Sequence, residues 1–158
     1  MEDRATVVMN AIRRIVKALR QAEVSSTEGL AVGAAQLFVL REVAKAGVLT
    51  VTELAQRTAT TQSSVSEVVS RLVTRGLVVR GQSADDRRRA AITLTPEGEA
   101  LLARTTETVQ ERMLAAFRRL SPARQEALAG ALGEWIAESG LGELEATMFF
   151  EPGDRIGR

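Results

Sequence analysis

The stretch TTQSSVSEVVSRLVTRGLVVRGQSADDRRRAAITLT runs from Thr60 to Thr95. Within it, Val65, Val68, Val69 and Leu72 recur at i, i+3, i+4 and i+7, the spacing of one buried helical face. That face turns Gln62, Ser63, Ser66, Glu67 and Ser70 outward and leaves Gln62, Ser63 and Ser64 at the N-terminus. Gly76 stops the helix, and Arg75 just before it suits the negative end of the helix dipole. Leu77 to Arg80 and Ala91 to Leu94 are apolar or β-branched runs, so the polar segment between them closes a hairpin. Its loop holds Asp85-Asp86-Arg87-Arg88-Arg89.

A short helix with a polar start followed by a basic hairpin has the dimensions of a major-groove reader and a minor-groove reader. The helix N-terminus carries partial positive charge and favours a phosphate. Gln can bond an adenine edge bidentately, and Ser can bond several base edges. Arg87, Arg88 and Arg89 suit the narrow minor groove, which concentrates negative potential. Asp86 can hold one guanidinium in a fixed orientation. Taken singly, the hydroxyl residues also read as helix caps and the loop as a solvated charged hairpin. Their adjacency favours DNA.

The flanks supply a frame. Val8, Ile12, Ile15, Val16 and Leu19 predict an amphipathic helix from roughly Asp3 to Val24, broken by Ser25-Ser26-Thr27-Glu28-Gly29. Leu37, Leu40, Val43 and Ala44 give a second helix, ended near Gly47 by a left-handed cap. Thr50-Val51-Thr52-Glu53 fits a capping box opening a short third helix, with Leu54 and Ala55 inward. Thr95-Pro96 starts a helix of about six turns whose stripe is Leu102, Val109, Met113, Ala116 and Leu120. Ser121-Pro122 starts another, striped by Leu128, Leu132, Trp135 and Ile136. The expected order is α-α-α-α-β-β-α-α, a mainly α chain with a small β-hairpin wing (α+β). Residues 1–30 form an N-terminal pairing helix, 31–98 a winged helix-turn-helix, and 96–158 C-terminal pairing helices and a tail, integrated as one domain. The end helices can pack together and against the same ends of a second copy, with Met148-Phe149-Phe150 packing on that dimer.

Composition narrows the function. The 158 residues carry a net charge of +1, but residues 1–95 hold 14 Lys+Arg against 9 Asp+Glu, and residues 96–158 hold 7 against 11. The basic part contains the helix and hairpin. There is no Cys and no His, which excludes thiol redox sensing, disulfides, thiolate zinc sites and His-based catalysis. No Gly-rich phosphate cradle or catalytic cluster is recognisable, so no catalytic residue, metal site or cofactor is expected and the chain is not read as an enzyme. No apolar run approaches the roughly 20 residues of a membrane span, and the N-terminus lacks a signal-peptide apolar block; a cytoplasmic location is expected.

Gln36-Leu37-Phe38-Val39-Leu40, LTVTELAQRT at 49–58, QSSVSEVVSRLVTRGLVVR at 62–80 and DRRRAAITLTPEG at 86–98 together resemble the MarR family of winged-helix bacterial transcription regulators. The resemblance implies an obligate homodimer built from the first and last helices, usually a repressor, on double-stranded DNA. It also implies that the helix from Gln62 reads the major groove, and that Asp86 and Arg88 form a wing pair with Arg88 entering the minor groove. Arg71 and Arg75 match basic family positions and suit phosphates, which position without specifying; ordinary solvation also accounts for them. Glu67 departs from the basic residue many relatives carry, and can accept from cytosine N4 or repel a phosphate. Family members usually sense a small, often aromatic or anionic, effector between the pairing helices and the DNA module. Arg13, Arg14, Phe38, Arg41 and Met113 lie on elements that can line such a cleft, although core packing explains Phe38 and Met113 more simply, and solvation or dimer pairing the arginines. A ligand-independent regulator and a winged-helix protein scaffold remain as alternatives.

Overall fold

The computed structural model describes residues 3–27, 32–82, 90–146 and Met148. Helix α1 (Arg4–Thr27) is followed by α2 (Ala34–Ala46), α3 (Val51–Thr58) and α4 (Gln62–Thr74). Strands β1 (Val78–Gln82) and β2 (Ala90–Leu94) come next, then α5 (Pro96–Leu102), α6 (Val109–Arg118) and α7 (Pro122–Glu138). The strands pair antiparallel, Val78 opposite Leu94 and Gln82 opposite Ala90. Leu49 adds a single bridge to Ile92, with N–H···O distances of 3.1 and 2.7 Å. That bridge ties the turn before α3 to the hairpin and was not foreseen from the sequence.

The core lies where α2, α3, α4 and the hairpin meet. Val39, Leu40, Val43, Leu54, Val65, Val68, Val69, Leu72 and Ile92 are fully buried. Each such side chain contributes about 1.5–3 kcal/mol of transfer free energy, so this one cluster fixes how α4 sits on its neighbours. The expected inward face of α4 is the observed one.

Local chemistry sets the joints. The Thr50 hydroxyl accepts from the Glu53 amide while the Glu53 carboxylate accepts from the Thr50 amide, the expected capping box. At the end of α4, Gly76 has φ +67°. Its amide donates to Val73 O at 2.9 Å and the Leu77 amide to Leu72 O at 3.0 Å, both bonds of a Schellman turn. Thr95 then caps α5 through the Gly98 amide at 3.1 Å and donates to Gly76 O at 2.7 Å. The hairpin is thus fastened to the end of α4 at both of its feet.

Gly98 sits against that joint. A Cβ there would run into Leu77 O and the Leu94 side chain. Gly98→Ala should therefore destabilise the fold by about 1–3 kcal/mol, the cost of an overpacked site. A shifted denaturant midpoint at constant slope is the expected observation; an unchanged midpoint would mean the Leu77 backbone can yield.

Four expectations need correction. Helix α1 runs through Ser25 to Thr27, because hydroxyl residues lower helix propensity by only about half a kcal/mol each. Gly47 has φ +80° but ψ −53°, so it ends α2 outside the left-handed region. The stretch from Pro96 to Leu120 is divided between α5 and α6. Thr108 opens α6 with a second capping box to Glu111, and Arg41 holds the intervening segment through Thr105 Oγ1 and Thr106 O. Met148 joins the core of its own chain rather than waiting for a dimer; Phe149 and Phe150 lie outside the described residues.

The end helices keep apolar surface in the open. Val7, Val8, Ile15 and Val16 of α1 and Leu128, Leu132, Trp135 and Ile136 of α7 are each 37–50% exposed. With Met113, Phe117 and Leu120, residues of α1 and α7 line an open groove of about 1350 Å³. Among the described residues, no helix is long and apolar enough to cross a membrane.

Candidate nucleic-acid interface

Helices α3 and α4, joined by a short turn, form the helix-turn-helix. Ala59 takes φ +52°, ψ +45° in that turn, a left-handed conformation costing a non-Gly residue about 1–2 kcal/mol. Thr61 is the N-cap of α4: its hydroxyl accepts from the Ser64 amide at 3.2 Å and lies 3.0 Å from the Ser63 and Ser64 hydroxyls. Sequence reasoning passed over Thr61, although a Thr just before a helical face is a recognisable cap signal.

Gln62, Ser63, Glu67 and Ser70 are exposed, and Ser66 is half-buried. Ser64 is 6% exposed and turned inward, with its hydroxyl at Thr61. That burial withdraws the Ser64 side chain from the exposed face of α4. The Ser70 hydroxyl donates to Ser66 O at 2.8 Å. Arg71 reaches back to Glu67 at 3.8 Å, an i,i+4 pair with both side chains partly in water; such pairs are worth a few tenths of a kcal/mol. Glu67 thus draws a cation along the helix face. Arg75 is exposed at the C-terminal end. Asp86, Arg87, Arg88 and Arg89 lie outside the described residues.

A polar cluster joins this unit to the C-terminal helices. Arg41 Nε lies 3.1 Å from both carboxylate oxygens of Glu111. Glu111, 2% exposed in its side chain, also accepts from the Thr108 amide at 2.8 Å and lies 3.5 Å from Lys45 Nζ. Glu42, 7% exposed in its side chain, meets Lys45 at 2.8 Å and Arg57 at 3.6 Å. Burial works to lower the Lys45 pKa, but the bond to Glu42 and the charges of Glu42 and Glu111 outweigh it, so the pKa is raised. Its stabilising contribution is complete below the ordinary lysine range and lost only as pH rises through the elevated value. At the other end of α6, Arg118 Nη2 donates to Arg57 O at 2.7 Å.

The residues expected around an effector are not gathered in one cleft. Phe38 is core, and Arg41 is occupied by Glu111, Thr105 and Thr106. Arg13 is exposed and bonded to Asn10, Arg14 is exposed, and Met113 lines the apolar groove. Among the described residues there is no group of three or more His, Cys, Asp or Glu that could hold a metal ion.

A capped helix with an outward polar face, a preceding helix at a tight turn and a hairpin fastened to its end define a winged helix-turn-helix. Residues 32–89 match the MarR family. The chain is 33% identical over 89 residues to the HTH-type transcriptional repressor MdtR of Bacillus subtilis, covering 56% of this chain and 57% of that one. It is 34% identical over 94 residues to the transcriptional regulator HosA of Escherichia coli O157:H7, covering 58% and 67%. The solved structure of Bordetella bronchiseptica BpsR, described for regulation of its DNA binding by 6-hydroxynicotinic acid, superposes with a TM-score of 0.56 at 28% identity, covering 85% of this chain and 93% of that one. The chain spans 53–64% of the length of the first three curated relatives it matches. It belongs to the MarR family. The named relatives are transcriptional regulators rather than enzymes.

Proposed function

We propose that this chain is a sequence-specific DNA-binding transcriptional regulator that acts as a homodimer and represses. One observation carries the reading: α4 buries Val65, Val68, Val69 and Leu72 completely while presenting Gln62, Ser63, Glu67 and Ser70 to solvent beside a hairpin. Each subunit places α4 in a major groove and the hairpin in the flanking minor groove. The open groove along α1, α6 and α7 accepts the second copy, whose own exposed stripe is apolar in the same way. The operator is then a pseudo-palindrome with half-site centres about one helical turn apart. Selection of bound duplexes from a random pool, followed by footprinting, tests this; a single unsymmetrical half-site would defeat it.

Release by a small anionic or aromatic molecule is part of the proposal, supported by the description of BpsR. The dispersal of Arg13, Phe38, Arg41 and Met113 favours a site other than the one they were expected to line. A second reading, regulation without an effector, follows if no aromatic acid raises the melting temperature.

Within the wing, the family resemblance assigns Arg88 to the minor groove with Asp86 aiming it. Arg88→Ala is expected to weaken operator binding by about 1–3 kcal/mol, the scale of one good groove contact. Titration of the selected duplex by fluorescence anisotropy measures it, and equal affinities would remove Arg88 from the interface.

A further inference from the structure

Arg80 is exposed at the foot of the hairpin, opposite Ile92 in the strand register. Its guanidinium Nη2 donates to the Ser70 hydroxyl of α4 at 3.3 Å. That hydroxyl spends its own proton on Ser66 O at 2.8 Å, so it receives Arg80 as a neutral acceptor. Among the described residues no carboxylate pairs with Arg80, in contrast to Arg41, Arg57 and Arg71. Arg80 therefore stands in the notch between α4 and the hairpin, held by a neutral hydroxyl and with no counter-charge among the described residues.

The notch has a definite meaning on a duplex. If α4 occupies a major groove and the hairpin the adjoining minor groove, the sugar-phosphate strand dividing the two grooves must cross between them. We infer that Arg80 is a phosphate-binding residue for that dividing strand, and that Ser70 is its positioning residue rather than a reader of a base. The inference rests on the DNA-binding reading above. A guanidinium offers phosphate a two-pronged, charge-assisted contact. A phosphate contact fixes register and strengthens binding without choosing sequence.

The test uses the full chain, the duplex it selects from a random pool and an unrelated duplex of equal length. Arg80→Gln should weaken both about ten- to a hundredfold for each subunit's lost contact, the range of a hydrogen bond to a charged group. It should also flatten the dependence of log K on log salt by about two units for a dimer, one per lost phosphate contact. Arg80→Lys should keep the slope, because the charge remains. Ser70→Asp should reproduce the flattened slope by giving Arg80 a carboxylate partner. Ser70→Ala should lower affinity for both duplexes alike. Wild-type affinity and slope in Arg80→Gln would overturn the Arg80 assignment while leaving the DNA-binding reading standing. A Ser70→Ala protein that loses discrimination at one base pair would return Ser70 to base readout. Absence of any duplex binding by the wild-type chain would instead remove the reading beneath both.

Discussion

Glu111→Ala should lower the stability of the fold by about 3–5 kcal/mol, the cost of breaking a buried ion pair from one side. The carboxylate is almost completely withdrawn from water, and its loss strands the Arg41 Nε that lies 3.1 Å away. It also removes the acceptor for the Thr108 amide at 2.8 Å, so α6 loses half of its capping box. Glu111→Gln keeps an acceptor at the cap and should recover about 1 kcal/mol of the deficit. Urea unfolding of the three proteins measures both steps. Equal midpoints for wild type and Glu111→Ala would mean that the attraction between these charges does no more than offset their dehydration.

Leu132→Asp should leave the chain folded and monomeric and should reduce operator affinity by about a hundredfold or more. Leu132 is 43% exposed on α7 and lines the apolar groove, so a carboxylate there costs the single chain little. In the proposed dimer the same carboxylate is buried against apolar side chains with no counter-ion, which is strongly unfavourable. Splitting the dimer removes the second, linked half-site contact, and linkage of that kind is worth about 10²–10⁴ in avidity. Sedimentation and duplex titration, with circular dichroism to verify the fold, read the result. A dimeric Leu132→Asp protein with unimpaired affinity would place the pairing surface elsewhere.

The parts of this molecule that were legible in its sequence are those with local causes. The α4 face followed from four apolar residues at helical spacing, and the Thr50 and Thr95 starts followed from capping chemistry; the start at Pro122 followed from proline at the first helical position, while Ser121 makes no side-chain cap bond. Contacts between residues distant in the chain left no such trace. Leu49 and Ile92 are 43 positions apart and bond through backbone atoms, which every residue possesses. Arg41 meets Glu111 across 70 positions, so nothing near it in the sequence marks it as a tie between α2 and α6. The division of the 96–120 stretch has the same origin, since the segment between α5 and α6 is held from outside by Arg41. The inward turn of Ser64 was not legible either, because hydroxyl residues at a helix start suit the cap and the exposed face alike, and only burial separates the two.

The double fastening of the hairpin at Gly76 and Thr95 bears on how such a regulator can diverge. With both feet of the wing anchored to the end of α4, the distance between α4 and the wing is set by this joint. On the DNA-binding reading proposed above, a change of target site needs only replacements of surface side chains such as Gln62, Ser63 and Glu67. The joint is made by Gly76, Leu77, Thr95 and Gly98, so such replacements leave it, and the folding of the unit, intact.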